Sequence, residues 1–137
     1  MFLLDTNVLS ELRRRDRTDP RVAAWADHVD ASDLFLSAIT ILEIEAGTLM
    51  VQRRDEAQGA MLRAWIDKKV LPAFEGRILP VDTAVAQRCA RLHVPDPRAE
   101  RDALIAATAL VNRIIVVTRN VADFQPMGVD FLNPWER

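Results

Sequence analysis

Short apolar runs alternate with longer stretches of helical periodicity along the chain. Apolar runs bounded by polar residues are typical of buried strands, whereas apolar positions three and four apart share one helix face. The pattern predicts strands, the last of them weak, at Phe2–Leu4, Leu34–Ser37, Arg77–Val81, Arg113–Thr118 and Gly128–Leu132. It predicts helices over Asn7–Arg15, Val22–Val29, Thr40–Arg54, Ala57–Val70, Thr83–Leu92 and Asp102–Asn112. Strands separated by helices indicate βαβ units and therefore an α/β fold with a mostly parallel sheet.

Four acidic residues fall where the carboxyl edge of such a sheet is expected. Asp5 directly follows the first strand, and Asp123 lies a few residues past the most apolar strand. Glu43 and Asp102 occupy first turns of predicted helices. Because ligands of parallel α/β sheets bind outside the carboxyl ends of the strands, we expect these four carboxylates to meet there.

Each of the later acids also has a purely structural interpretation. Asp123 can be the N-cap of a short turn around Phe124. Glu43 can complete a capping box that Thr40 opens. Asp102 can simply favour the positive end of its helix dipole. The joint pattern of acids at one edge nevertheless favours a functional site.

The chemistry of the four acids points to a divalent cation. Carboxylates packed together repel one another and take up protons unless a cation joins them. Oxygen ligands suit Mg²⁺ or Mn²⁺. With one cysteine and two histidines in the chain, a zinc cage is not expected. A metal held by carboxylates can activate water for displacement at phosphorus.

Composition narrows the class of protein further. A chain of 137 residues, half of them apolar, suits a single domain, and a net charge of −2 argues against a uniformly basic protein. The only cysteine, Cys89, allows no internal disulfide and is interpreted as a buried small hydrophobe in a reducing compartment. No apolar stretch approaches the ~20 residues that span a bilayer, so we expect a cytoplasmic protein without membrane contact.

The motifs together resemble those of PIN-domain ribonucleases. The blocks are Asp5-Thr6-Asn7, Glu43-x-x-x-Gly47, the run Asp102–Ala109, and Thr118-Arg119-Asn120-x-x-Asp123-Phe124. The closing Asn133-Pro134-Trp135 is similar to that of VapC-type toxins from type II toxin–antitoxin pairs. The resemblance covers residues 1–137 and implies that they form a single PIN domain.

The resemblance implies a five-stranded parallel sheet of order 3-2-1-4-5 in an α/β/α sandwich. It implies Mg²⁺- or Mn²⁺-dependent endonucleolytic cleavage of RNA, with transfer RNA as the expected target. The implied catalytic residues are Asp5, Glu43, Asp102 and Asp123, of which Asp5, Asp102 and Asp123 bind metal, with support from Thr6, Asn120 and Thr118. Thr118 could equally be a strand-end hydroxyl bonded to backbone. A homodimer is expected, silenced by an antitoxin that places an arginine on the acids and carries the DNA-binding function.

Several alternatives remain open at this stage. A haloacid-dehalogenase-type phosphatase needs a second aspartate where this chain has Asn7, and a non-catalytic metal-binding signalling module does not explain Glu43 and Asp102 together. Phosphate contacts by Arg119 or by the cluster Arg13–Arg17 are a hypothesis. Trp25 and Trp65 are either a partner-covered surface or core.

Overall fold

The strands form a single parallel sheet in the computed structural model, which describes residues 1–136. Every adjacent pair of strands is parallel, and the order is β3-β2-β1-β4-β5, which confirms the expected fold. The strands are β1 (Phe2–Leu4), β2 (Leu34–Ser37), β3 (Ile78–Leu79), β4 (Ile115–Val117) and β5 (Phe131–Leu132). The first segment of the chain is therefore the central strand.

Helices cover both faces of the sheet. They are α1 (Thr6–Glu11), α2 (Pro20–His28), α3 (Ala38–Arg54), α4 (Glu56–Trp65), α5 (Leu71–Ala73), α6 (Thr83–Leu92), α7 (Glu100–Asn112) and α8 (Val121–Phe124). A π-helical turn, Ile66–Val70, joins α4 to α5. Within residues 1–136, no helix has the length and hydropathy needed to cross a membrane.

Alternation along β1 creates the two halves of the core. Leu3 is fully buried against the side of the sheet that α6 and α7 cover, and Leu4 is fully buried on the opposite side. Alanines at 103, 106, 107 and 109 of α7 are also fully buried. These small side chains let α7 lie close to the sheet, which brings its first turn near the strand ends.

The start of α3 differs from the prediction. Ser37 is the N-cap, and its hydroxyl accepts the Ile39 N–H at 3.0 Å. Thr40 is instead a fully buried residue inside the helix, so the capping-box interpretation of Glu43 is wrong. The carboxylate of Glu43 is therefore free to serve another element.

Several other boundaries are shorter or displaced. The first helix ends at Glu11 rather than at Arg15, and β3 and β4 keep only the central residues of their predicted spans. The helix predicted to stop before Pro72 continues through the π-helical turn into α5. The predicted start of α7 at Asp102 moves to Glu100, which leaves Asp102 in the first turn.

Candidate active site at the carboxyl edge of the sheet

Asp5 lies at the centre of the carboxyl edge, immediately after β1. Its N–H donates to the Val117 carbonyl at 2.9 Å, which continues the pairing of β1 with β4. The side chain is the N-cap of α1, with Oδ1 accepting the Thr6 N–H at 2.9 Å. Oδ2 accepts from the Thr118 hydroxyl at 2.8 Å and from the Asn7 amide at 3.3 Å. Although buried, this carboxylate is thus held in one orientation by three donors.

Burial raises the pKa of Asp5 above its ordinary value. The hydrogen bonds from Thr118 and Thr6 lower that pKa in part, and the negative charges of Glu43 and Asp123 raise it again. The donors orient the carboxylate, but they do not remove the cost of its charge. Only an added positive charge would do so.

Glu43 reaches the same edge from α3. Its Oε1 accepts a hydrogen bond of 2.7 Å from the Thr6 hydroxyl, while the Thr6 N–H binds Asp5. Thr6 therefore connects the two acids through two different groups. A cavity of about 230 Å³ opens beside this pair and extends to Gly47 and Trp65.

Asp102 and Asp123 line a second cavity, of about 280 Å³, together with Arg98 and Pro126. Asp102 sits in the first turn of α7, and burial raises its pKa. The charges of Asp5, Asp123 and Glu43 raise that pKa further. The four predicted acids therefore lie near enough to influence one another electrostatically.

The capping interpretation of Asp123 is wrong. The short helix α8 has Asn120 as its N-cap, and neither the Asn120 side chain nor that of Asp123 supplies a capping hydrogen bond. Asp123 lies instead inside the helix with an exposed side chain. Its carboxylate is available to a ligand at the edge.

Thr118 and Asn7 position the acids. The Thr118 hydroxyl accepts the Asn120 N–H at 3.0 Å, which is the backbone bond of one interpretation, and it also donates to Asp5. Asn7 donates to Asp5, and its Oδ1 accepts the Arg119 N–H at 3.3 Å. The sequence argument did not assign Asn7 this role, although its position two residues after Asp5 on the capped turn is the signal.

The donor set fits a hard divalent cation. The four acids offer only oxygen ligands, which are the kind that Mg²⁺ and Mn²⁺ prefer. Within residues 1–136, their single ion-pair contact is between Arg101 Nη1 and Glu43 Oε2, at 3.9 Å. Asp5, Asp102 and Asp123 could supply such donors, but within residues 1–136 no three of the four acids have ligand oxygens within 4.8 Å of one another.

The basic and aromatic candidate residues lie in different environments. Arg119 is exposed and its guanidinium lies 5.1 Å from the Trp135 ring centroid, whereas Arg15 is paired with Asp27. Trp25 is only 6% exposed, so the interpretation of Trp25 as a partner-covered surface is wrong. Trp65 is partly buried against the core and also lines the cavity beside Glu43.

The strand order and the acids at its carboxyl edge define a PIN domain, and a family model of the PIN domain matches residues 2–125. The chain belongs to the PIN-domain family, in the group of VapC-type toxins.

Two relatives and one solved structure illustrate this placement. The chain is 36% identical over 144 residues to the VapC ribonuclease Y4jK of Sinorhizobium fredii, covering 99% of each protein. It is 37% identical over 141 residues to Toxin FitB of Neisseria gonorrhoeae, covering 98% of this chain and 99% of FitB. It also resembles a chain in the structure of FitAB bound to an IR36 DNA fragment, with a TM-score of 0.88, 36% identity, and coverage of 98% and 96%.

Proposed function

We propose that this chain is a metal-dependent endoribonuclease and the toxin of a toxin–antitoxin pair, acting as one domain over residues 1–137. One observation carries the proposal: four acids from separate segments share an edge at which burial and mutual repulsion raise the pKa values of Asp5 and Asp102. The name of Y4jK, a VapC ribonuclease, supports the same activity.

The catalytic roles follow from the contacts. A divalent ion such as Mg²⁺ or Mn²⁺, when bound, lowers the pKa of water and offsets negative charge on a phosphodiester. Asp5, Asp102 and Asp123 would hold it. Thr118 and Thr6 fix the Asp5 carboxylate so that its oxygens need no reorientation.

Glu43 has a different role from the metal-binding aspartates. The Thr6 hydroxyl occupies its Oε1 at 2.7 Å, and its Oε2 is within 3.9 Å of the Arg101 guanidinium. This second oxygen accepts no hydrogen bond within residues 1–136, so it would accept a proton from an attacking water or orient that water. Asn120 would support the edge by fixing the loop after β4 through its N–H bond to Thr118.

We further propose transfer RNA as the target, and inhibition of translation as the result of cleavage. Arg119 is exposed four residues before Asp123 and can contact phosphates that flank the scissile bond. Arg13, Arg14 and Arg17 are further candidates, since only Arg15 of that cluster pairs with an acid within residues 1–136. Phosphate contacts of this kind weaken as salt is added.

The proposed partners are a second copy of this chain and an antitoxin. An arginine from the antitoxin would bind the acids in place of a cation, because a guanidinium matches carboxylate geometry through paired hydrogen bonds. DNA contact would belong to the antitoxin. The structure of FitAB bound to an IR36 DNA fragment supports an assembly that contacts DNA.

Cleavage of end-labelled transfer RNA with and without Mg²⁺ or Mn²⁺ tests the activity. We expect metal-dependent cleavage that falls more than roughly a hundredfold in Asp5→Asn and in Asp123→Asn. Asp130→Asn, which changes an exposed acid that has no assigned role, is the matched control and should cleave normally. Full cleavage by Asp5→Asn would overturn the nuclease assignment.

RNA cleavage, Mn²⁺ binding and phosphate release, measured side by side, separate the alternatives. A metal-binding signalling module would bind Mn²⁺ yet leave RNA intact, and a phosphatase of the dehalogenase type would release phosphate from a small ester. Sequencing of the RNA ends after brief expression in cells identifies the target. Ends confined to messenger RNA would refute the transfer-RNA proposal without affecting the nuclease assignment.

A further inference from the structure

A cysteine, a histidine and a glutamate meet where α6 turns into α7, outside the acidic edge. The Sγ of Cys89 lies 3.7 Å from Nε2 of His93, and the same nitrogen lies 3.3 Å from Oε2 of Glu100. All three ligand atoms are within 4.8 Å of one another. Within residues 1–136, no other group of three potential metal ligands is this close.

The local structure explains why these residues meet. Cys89 and His93 are four positions apart at the end of α6, so both side chains project from one face of the helix. The following loop returns to α7, whose first residue is Glu100. The Arg98 N–H donates to Nδ1 of His93 at 3.0 Å and holds the loop against the ring.

We propose that Cys89, His93 and Glu100 form a zinc site that is separate from the acidic edge. The donor set of sulfur, nitrogen and oxygen is the one that Zn²⁺ takes and that Mg²⁺ does not. A thiolate and a carboxylate together neutralise the charge of the ion. The proposal does not depend on the ribonuclease assignment.

The spacing of the donor atoms agrees with tetrahedral coordination. Bonds of ~2.3 Å to sulfur and ~2.0–2.1 Å to nitrogen and oxygen place sulfur and nitrogen ~3.6 Å apart, and nitrogen and oxygen ~3.4 Å apart. The corresponding distances here are 3.7 Å and 3.3 Å. Three protein ligands leave the fourth position open, as in zinc sites that keep a water molecule.

Metal binding would rearrange one hydrogen bond. The ring nitrogen that now accepts from the Arg98 N–H must carry the proton of His93 when Nε2 binds a metal. The two N–H groups would then face each other, so the Arg98 amide must turn away. Arg98 also lines the cavity of Asp102 and Asp123.

Cobalt titration of the purified, chelator-treated chain provides a specific test. Cys89 is the only thiol in the sequence, so a thiolate-to-cobalt charge-transfer band can arise only there. Co²⁺ bound at the acidic edge has oxygen ligands and gives no such band. We expect the band to saturate at one equivalent of Co²⁺, to disappear when Zn²⁺ displaces it, and to persist in Asp102→Asn.

The variants test each ligand. Cys89→Ser should abolish the band, and His93→Gln and Glu100→Gln should each weaken binding by more than about tenfold, the scale on which even outer partners of metal ligands act. Asp96→Asn, an exposed acid of the same loop, is the matched control and should bind normally. Glu100 has a side chain that is 70% exposed, so Glu100→Gln keeps the fold, which circular dichroism verifies.

Two results would overturn the proposal. One is the absence of the band at millimolar Co²⁺ in a folded chain. The other is an unchanged cobalt affinity in both His93→Gln and Glu100→Gln. Either result would leave the cluster as a hydrogen-bonded corner in which His93 joins the Arg98 amide to Glu100.

Discussion

The Thr118 hydroxyl donates to Oδ2 of Asp5 over 2.8 Å and joins residues that are 113 positions apart in the chain. Both residues follow paired strands at the centre of the sheet, and both are buried. The orientation of the central carboxylate therefore depends on a contact between the beginning and the end of the chain. The geometry of the proposed active site therefore forms only when β1 pairs correctly with β4.

Thr118→Val should damage catalysis more than stability. The substitution keeps the shape but removes a donor to Asp5 and an acceptor for the Asn120 N–H. Because the Thr118 hydrogen bond lowers the pKa of Asp5, that pKa should rise in the variant. We expect RNA cleavage to fall about 10- to 100-fold and the free energy of unfolding to fall by ~1–2 kcal/mol.

Thr108→Val is the matched control for this substitution. Thr108 is also fully buried, but its hydroxyl donates to the Leu104 carbonyl of its own helix at 2.8 Å. Cleavage by this variant should be normal in initial-rate assays. Equal loss of activity in the two variants would show that Thr118 acts only through packing.

Asp102→Asn should stabilise the metal-free chain and weaken its response to metal. The asparagine removes repulsion with Asp5, Asp123 and Glu43, so the Tm in chelator should rise by roughly 1–3 °C. Added Mn²⁺ should raise the Tm of the wild type more than that of the variant, by mass action. Identical Mn²⁺ shifts in thermal unfolding would contradict the placement of a cation at Asp102.

The stability of the metal-free chain should depend on pH, and the raised pKa of Asp102 fixes the sign of that dependence. Because folding raises the pKa of Asp102 above 3.8, the group stabilises the folded state below that pH, and this contribution is lost as pH rises through the folded pKa. In chelator, the wild type should therefore lose stability relative to Asp102→Asn between pH ~4 and pH ~7. Urea unfolding across this range measures the difference, which should vanish at the acid end.

Gly59→Ala should destabilise the chain by about 1–2 kcal/mol. A Cβ at Gly59 would lie 2.5 Å from the Cα of Gln52, where α4 crosses α3. Because this Cα belongs to the backbone, it cannot move aside as the end of a flexible side chain can. Gly47→Ala in α3 is the control, because a Cβ there meets nothing within 4 Å. Denaturant unfolding should show Gly47→Ala to be as stable as the wild type or up to ~1 kcal/mol more stable.

Arg63→Gln should lower the free energy of unfolding by about 0.5–1 kcal/mol at neutral pH. Its guanidinium makes a bidentate ion pair with Glu45 at 2.7 and 2.8 Å, but both side chains are one-third exposed. Arg63 lowers the pKa of Glu45, so this stabilisation is lost as pH falls through that lowered pKa. The difference between the two chains in urea unfolding should therefore shrink at acid pH.

Arg54→Gln is the control for Arg63→Gln. Arg54 is exposed at the end of α3 and makes no ion pair within residues 1–136. Its stability should match the wild type across the same pH range. A loss as large as that of Arg63→Gln would attribute the effect to net charge rather than to the bidentate pair.

The parallel strands and the positions of the acids after them were predictable from local signals, whereas the strand order was predicted only through the resemblance to PIN domains. Leu3 and Leu4 form an apolar run that ends at Asp5, and the alanines of α7 indicate close contact with the sheet. The cap of α3 was not predictable, because Ser37 and Thr40 are both good N-cap residues. Only burial of Thr40 by distant residues decides between them.

The hydrogen-bond partners of the acids were also not predicted. That the Thr6 hydroxyl binds Glu43 depends on how α1 and α3 lie relative to each other, which no local pattern specifies. The Cys89–His93 spacing is visible on a predicted helix, but the approach of Glu100 depends on the path of the loop after His93. Identities of site residues follow from motifs, whereas their contacts follow from packing.

The position of β1 has a consequence for synthesis of the chain. β1 is made long before β4, yet it must lie between two neighbours, and one of them, β4, spans Ile115–Val117. Nascent chains that stop short of this region possess Asp5 but lack Thr118 and Asp123 beside it. The carboxylate cluster is consequently completed only after β4 and the segment that carries Asp123 have been made, so products truncated before them lack the proposed active site.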